Sequence, residues 1–223
     1  MNTLKRNAVR ILTCGCLAFS SSIIAGESTN IGADEALSRL LSGDRRLVAG
    51  KSNEPTGPAL IERRHALAKE QRPFAVVVGC SDSRVPPEFV FDVSLGDIFV
   101  VRTAGEVVDE VGLGSIEYAV EHLGTRLVVV LGHQHCGAVS AAVAGATETG
   151  DIPNVLKAIA PAIKETKGQP GDPIENAVRA NARNIAKRLQ SADPIIAPLV
   201  QSGEVKIVAA YYSLDTGQVE LLK

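Results

Sequence analysis

The chain has no tryptophan, a single methionine and only 4% aromatic residues. It lacks any basic run or stripe, which argues against nucleic acid and anionic membrane surfaces as partners. No Cys-x-x-Cys pair is present, so the arrangement expected of a thiol redox protein is missing. There is no internal repeat at solenoid periods and no low-complexity tract. No segment offers an apolar run suited to a stable membrane span.

What is present begins with a basic start, Lys5, Arg6 and Arg10, followed by an uncharged stretch from Ile11 to Ala25. As a helix that stretch reaches only about 22 Å, short of a hydrocarbon core of about 30 Å. Residues 1–25 therefore read as a secretory signal peptide cut near Ala25 or Gly26, which implies export to the periplasm or secretion. A buried N-terminal helix is the competing reading, and the Ser20-Ser21-Ser22 run opposes it. Cys14 and Cys16 raise a lipoprotein anchor, but the residues before each fit that poorly. Cleavage takes away three positive charges and no negative ones, so a net charge of −2 becomes −5. Roughly 198 residues remain, enough for one well-cored α/β domain.

Residues 33–49 place Leu37, Leu40, Leu41, Leu47 and Val48 at near-helical spacing. A loop with Gly50, Pro55, Gly57 and Pro58 follows, then a charged helix over Ala59–Gln71. Together residues 26–72 read as an N-terminal helical arm outside the sheet domain. The core, residues 73–223, opens with a strand at Phe74–Gly79 and a short helix from Pro86-Pro87 to Phe91. A strand at Ile98–Thr103, a helix over Gly112–Leu123 and a strand at Leu127–Leu131 come next. Helices are expected at Ala138–Ala144, Asn154–Lys164 and Ile174–Leu189, the last after Pro173, a favoured first-turn residue. Val205–Ser213 and Val219–Leu222 around Asp215-Thr216-Gly217 read as a C-terminal hairpin. The alternation implies an α/β fold, a mainly parallel central sheet flanked by helices on both faces.

Two short stretches carry the chemistry: Cys80-Ser81-Asp82-Ser83-Arg84 and His133-Gln134-His135-Cys136-Gly137. Each follows an all-apolar run of the kind that forms a buried parallel strand. If those strands are neighbours, Cys80, His133 and Cys136 converge where ligand sites lie in open α/β sheets. Two thiolates and an imidazole make a zinc site with its fourth position open. In an exported protein a Cys80–Cys136 disulfide is the rival, though both cysteines sit among polar and ionisable residues. Asp82 and Arg84, one residue apart, can face the same side of an extended turn. A carboxylate fixed by a guanidinium stays ionised and can orient a zinc-bound hydroxide; the alternative is a plain turn-stabilising ion pair. His135 alternates with the ligands and points away, while His65 and His122 lie on solvated helix faces. With two thiolates the metal centre is formally neutral, so activity should rise towards mildly alkaline pH.

Cys80-Ser81-Asp82-Ser83-Arg84-Val85-Pro86, Val101-Arg102-Thr103-Ala104-Gly105, Glu117-Tyr118-Ala119-Val120 and Gly132-His133-Gln134-His135-Cys136-Gly137 resemble the β-class carbonic anhydrases, over about Pro73 to Val143. The resemblance implies one catalytic Zn2+ per subunit on Cys80, His133 and Cys136. It implies reversible hydration of CO2 to bicarbonate and a proton by zinc-hydroxide attack, with Asp82 orienting the hydroxide and Arg84 holding Asp82. In some members the aspartate swings onto the metal and closes the site at lower pH. The Gly137 N–H would help hold bicarbonate. Homodimers wrapped by their helical arms, often paired into tetramers, are implied as well. Regulated bacterial members build an inhibitory bicarbonate pocket from a tryptophan, an arginine and a tyrosine. This chain has Val77 at the tryptophan's place, with Arg102 and Tyr212 as candidates for the other two. The rival readings are CS2 or COS hydrolysis on the same scaffold and a non-catalytic zinc-binding protein. Asp82 and Arg84 oppose the second, since a structural site closes its fourth position with a protein ligand.

Overall fold

A computed structural model describes residues 31–53 and 56–223. The signal peptide expected over residues 1–25 lies outside the described residues. Helix α1 (Ala33–Val48) and helix α2 (Pro58–Ala66) precede strand β1 (Ala75–Cys80) and the short helix α3 (Pro87–Val90). Strand β2 (Ile98–Thr103) runs into a turn at Ala104–Glu106 and helix α4 (Glu110–Glu121). Strand β3 (Leu127–His133), helices α5 (Gly137–Val143), α6 (Ile152–Thr166), α7 (Pro173–Gln190) and α8 (Ile196–Gln201), and strands β4 (Lys206–Tyr212) and β5 (Val219–Leu222) complete the chain.

The five strands form one sheet in the order β2-β1-β3-β4-β5. The first four are parallel, and β5 closes the C-terminal hairpin antiparallel to β4. Every residue of β1 and β3 is buried, as expected of Val-rich strands covered on both faces. Val77, Leu127, Val129 and Leu131 point to one apolar layer. Val76, Val78, Val128 and Val130 point to the other, packed against Ile116 of α4 and Ile185 and Leu189 of α7. The chain leaves β1 towards β2 on one side and reaches β3 on the other, so the crevice between the β1 and β3 ends is the topological switch point.

The N-terminal helices divide. Ala36 and Leu40 of α1 are wholly buried in the core, so α1 covers the sheet rather than standing outside it. Gly43 lets it lie against α3, because a side chain there would overlap the Phe91 carbonyl. Arg46 clamps the contact, donating through Nε to Asp92 Oδ2 (2.7 Å) and through Nη2 to the Asp92 carbonyl (2.9 Å). Helix α2 buries no residue. It ends at Ala66, five residues short of the charged stretch's end, because without a packed face nothing repays a further turn. Helix α8 is the element the pattern misses; it is short and carries Pro198 inside.

Candidate metal centre

Cys80 is the last residue of β1 and His133 the last of β3. The two strands stay in register to Gly79 opposite Leu131, so both side chains emerge at the same sheet edge. Cys136 caps α5 one turn further on. The Cys80, His133 and Cys136 ligand atoms all lie within 4.8 Å of one another, and all three residues are buried. The sulfurs are 4.0 Å apart and unlinked, which rules out the disulfide reading here.

The donor set fits a metal ion. His133 Nδ1 meets the Gln134 carbonyl at 2.9 Å, so Nδ1 carries the proton and Nε2 offers its lone pair. Nε2 is buried with no hydrogen-bond partner, a costly state unless a cation takes it. Tetrahedral zinc with Zn–S bonds near 2.3 Å would set two sulfurs about 3.8 Å apart, close to the spacing found. Cys80 Sγ accepts N–H groups from Asp82 (3.4 Å) and Gly105 (3.3 Å). The neighbouring Cys136 thiol, these amides and His133 together pull the Cys80 thiol down against its burial, while the same pairing pushes Cys136 up.

Asp82 and Arg84 meet as a two-pronged pair: Arg84 Nε donates to Oδ1 (2.9 Å) and Nη2 to Oδ2 (2.7 Å). The Arg84 hydrogen bonds hold the Asp82 carboxyl well below the usual carboxylate range despite partial burial. Asp82 Oδ2 lies 4.0 Å from His133 Nε2, facing the ligand cluster without belonging to it. Arg84 also donates to the His135 carbonyl (3.2 Å), which ties the two loops together. Gly137 opens α5 beside Cys136, with open space where a side chain would stand. His135 itself is exposed, as are His65 and His122 on their helices.

Several supporting groups escape sequence reasoning. Arg102 of β2 donates to the carbonyls of Cys80 (2.7 Å) and Asp82 (2.5 Å). Its guanidinium thus braces the β1 loop, and Val77 is wholly buried within β1. Glu106 is 0% exposed, with Oε2 unpaired. Burial pushes its carboxyl up to about 8, against a hydrogen bond from Asn181. Arg102 lies inside a recognisable strand-end motif, but its partners depend on strand pairing; nothing local marks Glu106 or Asn181.

A mainly parallel sheet carrying a Cys2His cluster at its switch point defines an α/β protein with a candidate metal site. The carbonic anhydrase family model matches residues 75–219. Carbonic anhydrase 2 of Mycobacterium tuberculosis is 39% identical over 186 residues, covering 82% of this chain and 89% of that protein. The carbonic anhydrase of Mycolicibacterium smegmatis is 41% identical over 187 residues, with 82% and 89% covered. Among solved structures, a tetrameric β-carbonic anhydrase of Sordaria macrospora superposes with a TM-score of 0.65 at 23% identity, over 84% of this chain and 97% of that one; this likeness concerns the fold. The chain belongs to the β-carbonic anhydrase family, enzymes of the lyase class.

Proposed function

We propose that the protein catalyses reversible hydration of CO2 to bicarbonate and a proton, with one zinc ion held by Cys80, His133 and Cys136. Thiolate and imidazole donors suit zinc. When bound, zinc supplies the Lewis acidity that makes a water nucleophilic near neutral pH. The chain's residues do the rest. Cys80 and Cys136 as thiolates cancel the ion's charge, which moves the useful range towards mildly alkaline pH. Asp82, kept ionised by Arg84, accepts a hydrogen bond at Oδ2 from the attacking O–H group and turns its lone pair towards CO2. The Gly137 N–H donates to a bicarbonate oxygen, and the released proton passes to buffer.

The observation that carries this reading is the juxtaposition of three convergent ligand atoms, one of them an unpartnered buried nitrogen, with a locked carboxylate 4.0 Å away. Stopped-flow CO2 hydration by the zinc-loaded protein tests it, with turnover expected to rise from neutral to mildly alkaline pH. Folded, zinc-bound protein that leaves CO2 untouched would overturn it; turnover of CS2 or COS instead would reassign the substrate.

The assembly we propose is a homodimer in which the unburied helix α2 of the arm lies against the partner, able to pair into a tetramer. Exposed Leu60, Ile61, Phe89 and Leu95 on the arm side support it, as does the tetrameric Sordaria relative. Residues 1–25 we assign to export, placing the enzyme in the periplasm or outside the cell. Sedimentation of the protein and sequencing of its secreted N-terminus check these two assignments.

A further inference from the structure

Cys80 Sγ receives one of its two amide hydrogen bonds from Gly105, a residue of another strand end. Gly105 and Glu106 both hold positive φ, 64° and 45°. That backbone is natural for glycine but strained for glutamate, so the turn needs an external hold. At Gly105 a side chain would also collide with Ile159. The hold is visible. Asn181, on α7 and 2% exposed, donates from Nδ2 to the Gly105 carbonyl (2.9 Å) and to Glu106 Oε1 (2.9 Å). One side-chain amide thus holds both positive-φ residues, and by fixing the turn restrains the Gly105 N–H.

We propose that Asn181 is a positioning residue for the metal centre: it acts through Gly105, whose N–H it keeps aimed at Cys80 Sγ. The inference rests on the zinc reading above. Groups that hydrogen-bond metal ligands or orient them commonly matter 10–100-fold in metal affinity. Asn181 stands one bond further out, so its effect should sit near the lower end. Asn184 of the same helix offers a control. It lines the same cavity of about 240 Å³ as Asn181, but its amide is bound to Glu165 Oε2 (2.9 Å), away from the turn.

The test is zinc affinity by chelator competition, together with the sulfur-to-metal charge-transfer absorption of the cobalt-loaded protein. Wild type, Asn181→Ala and Asn184→Ala are compared after circular dichroism confirms folding. Asn181→Ala should lose about tenfold in zinc affinity and shift the cobalt absorption, with Asn184→Ala staying within about twofold of wild type. Asn181→Ser, whose shorter side chain does not reach both partners in the turn, carries the comparison if the alanine variant does not fold. Folded Asn181 variants with unchanged affinity and spectrum overturn the inference, and so does an equal loss in Asn184→Ala. Wild-type protein that binds neither zinc nor cobalt overturns the metal reading, and this inference with it.

Discussion

The loops after β1 and β3 do the same job by different means. Both follow wholly buried strands and both deliver ligands to one point. The β1 loop is held from within and from the adjoining strand. Asp82 and Arg84 pair across one intervening residue, the Asp82 N–H reaches Cys80 Sγ, and Arg102 of β2 holds the Cys80 and Asp82 carbonyls. The β3 loop is held from far along the chain. Gln134 donates to Asp215 Oδ2 (2.7 Å) and accepts from Ser213 Oγ (3.2 Å) and the Asp215 N–H (3.0 Å). Its own N–H bonds the Tyr212 carbonyl (2.9 Å). One loop is thus braced by charge at short range, the other by neutral or exposed contacts to the C-terminal hairpin. In the proposed reaction the charge beside the Cys80–His133–Cys136 cluster does chemistry as well as bracing, whereas the distant contacts brace only.

That contrast can be broken most forcefully at the ligands themselves, where the loops should be equal. Cys80→Ser and His133→Ala should each remove zinc binding, measured by metal analysis, and lower CO2 hydration by at least about a thousandfold. Unequal losses would mean that one loop dominates the site. The next effect separates the loops. Asp82→Asn should retain zinc but lose about a hundredfold in turnover. Arg84→Lys should rescue an Arg84→Ala defect poorly, since an ammonium cannot reproduce the two-pronged contact.

A pH titration of stability sharpens the comparison further. The Asp82 carboxyl is depressed in the folded protein, so its contribution is complete above the unfolded value of about 3.9. It is lost as pH falls below that value towards the folded one. Arg84→Ala should therefore flatten the loss of thermal stability as pH falls below about 4. Gln134→Ala should leave that acid slope as it is in wild type. The smallest effect is at Gln134 itself, where alanine should cost about 1 kcal/mol in denaturant unfolding and only a few-fold in turnover. A loss matching that of Asp82→Asn would show that remote bracing matters as much as local charge.

The legible parts of the molecule were those written in short segments. The strands at Ala75–Cys80, Ile98–Thr103 and Leu127–His133 announce themselves by unbroken apolar runs or Gly-bounded turns, and the ligands and the Asp82–Arg84 pair sit within four residues of strand ends. The illegible parts depend on which strand lies beside which. Arg102 reaches Cys80 and Asp82 only because β2 pairs with β1. Asn181 meets Gly105 only because α7 crosses the sheet, 76 positions further along the chain. Helix α1 looked like part of an outer arm because its apolar stripe does not say what it will cover; Ala36 and Leu40 turn out to cover the sheet.

The contacts around the candidate metal centre share one property. His133 is oriented by the Gln134 carbonyl, Cys80 by the amides of Asp82 and Gly105, and Arg102 anchors to carbonyls. On the receiving or giving side of each contact stands the main chain, which point substitution leaves in place. A change of side chain at 134 or 82 therefore leaves the carbonyl or amide that meets His133 or Cys80 in place. Position 134 can change its side chain without altering which nitrogen of His133 carries the proton.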